Sequence, residues 1–155
     1  MSKDVYERLA QRLDDLPNGF PRTESGVELS ILRKIFTEDE AEITCNLKLL
    51  PETPQQIAER LGREQATFGD TLEKMVERGE IGAVGPLGDR KYHMMPFIVG
   101  VYEFQLNRMD RELVELMEEY INQGLFEEIG ASTPSFMHTI PVERAIDVQL
   151  KVHPF

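Results

Sequence analysis

Apolar residues recur along the chain mostly at helical spacing. Val5, Leu9, Leu13 and Leu16 lie on one helical face, which "PNGFP" ends. "GVELSILRKIF" puts Val27, Ile31, Leu32, Ile35 and Phe36 on one face. "TEDE" then offers Thr37 as N-cap and Glu40 as its capping-box partner, which predicts a helix from Glu38 to Leu49. "LPETPQQIAERLG" predicts a two-turn helix with Thr53 as cap, Pro54 at the first position, Ile57, Ala58 and Leu61 inward and Gly62 as the stop.

A further helix, Glu64 to Arg78, buries Phe68, Leu72, Met75 and Val76 and closes at Gly79. The pattern then switches. "IGAVGPLGDRKYHMM" reads as two short strands around a turn with Gly85, Pro86 and Gly88. After Pro96, apolar residues from Ile98 to Ile121 keep helical spacing up to Gly124, and an unbroken helix of that length would measure about 40 Å. The last stretch carries two alternating runs, "FMHTIPVE" and "DVQLKV", and reads as a linker toward a further module.

The expected architecture is α+β, mainly α. It divides into an N-terminal helical arm (1–36), a helix-turn-helix with a hairpin wing (37–95), a long amphipathic helix (96–130) and a linker (131–155). The apolar stripe of the long helix raises a homodimer through residues 97–124. At 155 residues the chain is long enough to bury a core of its own.

Charge narrows the partners. With 28 acidic against 17 basic residues the formal charge is −11, which disfavours long-range attraction to nucleic acid or anionic membrane. No apolar run approaches the ~20 residues that span a bilayer, and the start lacks an apolar signal core, so a cytoplasmic protein is expected.

Candidate chemistry is sparse. His93, His138 and His153 share no metal-ligand spacing, and Cys45 sits among apolar helix positions as a small hydrophobe would. "GAVGPLG" lacks the Lys-Thr of a phosphate loop, and no catalytic triad or carboxylate pair stands out. The chain is expected to be non-enzymatic by itself.

"IAERLGREQATFGDTLEKMVERGEI" resembles the winged helix-turn-helix superfamily of bacterial regulators, and the resemblance covers residues 38–95. In such a fold Gln65, Ala66, Gly69, Asp70 and Glu73 would face the DNA major groove. Regulators usually carry basic or small polar groups there, whereas residues 64–79 have a net charge of −2. Carboxylates facing phosphates repel, so Asp70 and Glu73 are expected to bind a protein partner. The competing expectation is a dimeric transcription regulator in which Gln65, Thr67, Thr71, Lys74, Arg90 and Lys91 touch DNA.

Two further stretches, "NGFPRTESGVELSILRKIFTEDEAEI" and "MPFIVGVYEFQLNRMDRELVELMEEY", resemble the N-terminal region of 4Fe-4S ferredoxin-type proteins of anaerobic bacteria. With the helix-turn-helix between them, the resemblance spans most of residues 18–144. It implies a front domain of an iron–sulfur electron-transfer protein whose clusters are held by a downstream cysteine-rich module. It implies no cofactor-binding, metal or catalytic residue in this chain.

Overall fold

The computed structural model describes residues 4–131. The linker expected at 131–155, with His138 and His153, therefore lies outside the described residues apart from Ala131. The described chain is mainly helical with one two-stranded sheet, as the α+β reading anticipates.

Helix α1 runs Val5–Asp14, with Asp4 capping the amide of Tyr6. Leu9, Ala10 and Leu13 are buried, α1 packs on both following helices, and Tyr6 donates its hydroxyl to the Phe36 carbonyl at 3.1 Å. Helix α2 spans Val27–Ile35 and α3 spans Glu38–Cys45. The capping box of α3 is formed: Glu40 amide to Thr37 hydroxyl, Thr37 amide to Glu40 carboxylate. The helix stops at Cys45, short of the expected Leu49, where Asn46 turns its side chain back onto the Glu42 carbonyl.

Helix α4, Pro54–Leu61, has the second capping box, between Thr53 and Gln56. It ends at Gly62, whose φ of 64° is the left-handed conformation that suits glycine. Helix α5, Gln65–Glu77, follows after Gly62, Arg63 and Glu64, packs on α4 and buries Phe68, Leu72 and Met75. Strands β1 (Gly82–Val84) and β2 (Lys91–His93) pair antiparallel, Ala83 opposite Tyr92. A third segment joins β2 at Glu52, which exchanges both backbone hydrogen bonds with Tyr92 at 2.9 and 2.8 Å.

The long helix expected over 96–130 is broken into pieces. Residues Phe97–Val101 form an irregular turn in which Ile98 is extended and Val99 has φ 56°, a conformation costly for a β-branched residue. The groups released by this break find side-chain partners: Asn18 donates to the Ile98 carbonyl at 2.6 Å, and Glu103 accepts from the amides of Val99 and Gly100 at 3.0 and 2.7 Å. Helix α6 is one turn, Tyr102–Gln105. A second break precedes α7, Arg111–Asn122, which Asp110 caps through the Leu113 amide at 2.9 Å. Gly124 separates α7 from α8, Leu125–Ala131.

The breaks let α7 fold back along α2. Phe20, Phe97 and Tyr120 then meet in an aromatic cluster, with ring centroids 4.6 Å (Phe20–Phe97) and 5.3 Å (Phe20–Tyr120) apart. The Tyr120 hydroxyl donates to the Pro21 carbonyl at 2.9 Å. The N-terminal helices, α4, α5 and α7 thus share one hydrophobic core.

Candidate functional site

Burial of Phe68, Leu72 and Met75 turns the opposite side of α5 outward. Gln65, Thr67, Asp70 and Lys74 are exposed there, and Thr71 and Glu73 are half-buried. Asp70 and Glu73 line a cleft of about 450 Å³ between the start of α4, α5 and the β1–β2 hairpin. Arg90 and Asp89 contribute the hairpin wall and Tyr92 also lines the cleft, while Leu87 stands 78% exposed at the hairpin tip. Gln65, Thr67, Thr71 and Lys74 do not reach the cleft, and Lys91 points outward from β2.

Glu73 is the centre of this arrangement. One carboxylate oxygen accepts from the Tyr92 hydroxyl at 2.6 Å and the other from Arg90 at 2.7 Å. Burial, and then the hydrogen bond to Glu73, push the Tyr92 phenol above its ordinary range, so it stays a donor. Of the basic residues near this face, Arg90 is thereby neutralised and Arg63 pairs with Asp39. Lys74 and Lys91 are exposed and form no ion pair within the described residues. The side chains lining the cleft comprise three acids, Asp70, Glu73 and Asp89, and one base, Arg90.

Glu52, which the sequence pattern does not single out, fixes the cleft from behind. Its buried carboxylate is gripped at 2.7 Å on both oxygens by Arg60 and at 2.8 Å by Lys48. The Arg60 hydrogen bonds, with Lys48, hold its acid group down to about 2. The same residue pairs its backbone with Tyr92, so α4 and α5 both anchor one strand.

Cys45 is half-buried, and burial pushes its thiol up to about 11, the state of an inert side chain. Clusters of the ferredoxin type require several thiolates, and a chain with one protonated cysteine does not fit such a group. Among the described residues no three His, Cys, Asp or Glu side chains are disposed to hold a metal ion. His93 packs its ring on Gly82 and directs Nδ1 at the Met94 carbonyl, 3.0 Å away. No described helix is long and apolar enough to cross a membrane.

No protein-family model, curated protein or solved structure matches this chain.

Proposed function

We propose that residues 37–95 form a winged helix used to dock a protein partner, within the non-catalytic front domain of a cytoplasmic, ferredoxin-type iron–sulfur electron-transfer protein. The order α3, α4, α5, hairpin, the three-residue turn from Gly62 to Glu64 and the extra bridge at Glu52 support the winged-helix reading. The iron–sulfur context rests on the sequence resemblance alone.

One observation carries the docking reading. Glu73 occupies the middle of the face that would enter a major groove, and its bonds to Tyr92 and Arg90 hold it there. A carboxylate fixed in that position repels phosphate and withdraws the hairpin arginine from backbone contact. Asp70 and Asp89, whose carboxylates have no hydrogen-bond or ion-pair partner within the described residues, leave the cleft negative and suited to a basic side chain of a redox or regulatory partner.

The competing reading is a DNA-binding regulator that uses Gln65, Thr67, Thr71, Lys74, Arg90 and Lys91. The exposed, unpaired Lys74 and Lys91 favour it.

Duplex DNA titrated at low and at physiological salt separates the two. Docking predicts no binding at either, whereas affinity that falls steeply with salt establishes the regulator. Anaerobic expression of the complete natural reading frame tests the redox context, since bound clusters give a broad brown absorption. A colourless product overturns it.

A further inference from the structure

The turn that carries the chain from α5 into β1 holds a second cluster of charges, remote from the cleft. Glu80 and Glu40 are both buried, and a single guanidinium, that of Arg78, serves both. Arg78 Nε lies 2.9 Å from Glu80 Oε1, while its Nη2 donates to Glu40. The other Glu40 oxygen is committed to the Thr37 amide in the α3 capping box. Two buried carboxylates facing one cation leave one negative charge without compensation if both ionise.

The same turn is clamped to the segment after the broken helix. Gln105 is buried and donates through Nε2 to the carbonyls of Arg78 and Gly79, at 2.9 and 3.3 Å. Gly79 packs so closely on Phe104 that a methyl group there would lie 2.3 Å from Phe104 Cβ. Beside Glu80 opens a cleft of about 100 Å³, walled by Lys34 from α2 and by Arg108, Asp110 and Leu113 from the C-terminal side. Lys34 is already paired with Asp110 and Glu112, so Arg108 is the cation left to answer a new charge on Glu80.

We infer that Glu80 is a proton-operated latch: with its carboxyl neutral the α5–β1 turn stays clamped on residues 102–108, and its ionisation releases the clamp. The ionised carboxylate is repelled by Glu40 and drawn toward Arg108 and the water of the small cleft, and its proton leaves to solvent there. That displacement moves the Arg78 and Gly79 carbonyls off Gln105. Burial first, and the Glu40 charge second, push the Glu80 acid group up to about 8, against the opposing pull of Arg78 and Arg108. The latch therefore operates near neutral pH.

Amide hydrogen exchange of Gly79 and Glu80, corrected for base catalysis, reads the opening constant. In the natural protein it should rise about tenfold per pH unit between roughly pH 5 and roughly pH 8, because the open turn ionises at an ordinary carboxyl value. In Glu80→Gln it should be flat. A flat profile in the natural protein, or a slope that survives Glu80→Gln, overturns the latch. A carbon-detected titration of the Glu80 carboxyl in the unmodified protein decides independently of how the variant folds. A midpoint near 8 supports the latch, and one near the ordinary 4.3 removes it.

Discussion

Tyr92 donates its phenolic hydroxyl to Glu73 across 2.6 Å, tying the second strand of the hairpin to the outward face of α5 nineteen residues earlier. A hydrogen bond to a carboxylate in a half-buried site contributes roughly 1–2 kcal/mol, so Tyr92→Phe should lower unfolding stability by about that amount in urea titrations. Tyr102→Phe is the control. Its hydroxyl has no partner among the described residues, and the change should stay within about 0.5 kcal/mol.

Glu52 should govern the acid limb of stability. Its folded value of about 2 lies below its ordinary 4.5, so the stabilisation is present above pH 4.5 and is lost as pH falls toward 2. Lys48 is well exposed and its pairing is largely screened by solvent, so the loss should be on the order of 2 kcal/mol. Thermal melts at a series of pH values should show this loss in the natural protein and a flatter acid limb in Glu52→Gln.

Glu80 acts with the opposite sign. Its folded value is raised from 4.5 to about 8, so the folded state keeps a proton that the unfolded chain has released. Its contribution to stability is fully present below pH 4.5 and is lost as pH rises through 8. The Glu80→Gln protein should therefore match the natural one in acid and exceed it progressively toward alkaline pH, by a few kcal/mol at most. Melting curves of the two proteins side by side from acid to alkaline pH check the divergence.

Two backbone positions should respond in opposite directions. Gly79→Ala meets both a φ of 71° and the Phe104 side chain, and should cost more than about 2 kcal/mol. Val99 holds φ 56° while 65% exposed, so Val99→Gly gives up little burial and should gain up to about 1 kcal/mol. Chemical denaturation midpoints read both.

A homodimer through residues 97–124 would have to use what the core leaves over. Ile98, Val101, Leu113, Met117 and Tyr120 are buried within the chain, which leaves Val99, Phe104, Leu106 and Val114 exposed. Light scattering at micromolar concentration should return the mass of one chain. A doubled mass that Phe104→Glu halves would instead establish the dimer.

Local signals carried well from sequence to structure. Thr37 with Glu40, Thr53 with Pro54, and Gly62 each act within four residues of the helix end they define, and each is seen in place. The breaks in the C-terminal helix were harder to read. Apolar spacing from Ile98 to Ile121 fits one helix, while the groups that stabilise the first break include Asn18, eighty residues away. Asp110, which caps α7, lies inside that apolar spacing, so the spacing alone hides the second break. The site was legible only in composition: the acidic face of α5 is plain, but that Glu73 would meet Tyr92 and Arg90, or that Glu40 and Glu80 would share Arg78, depends on folding of distant segments.

The contact between Tyr120 and the Pro21 carbonyl joins groups ninety-nine residues apart. During synthesis the first three helices emerge long before the partner that covers Phe20, whose ring rests on Phe97 and Tyr120. A nascent chain halted before α7 must leave that aromatic seat open to chaperones or to stray hydrophobic contacts. Release of residues 111–122 from the ribosome is thus the step that lets Tyr120 cover Phe20, and a segment made late decides when the N-terminal helices are sealed.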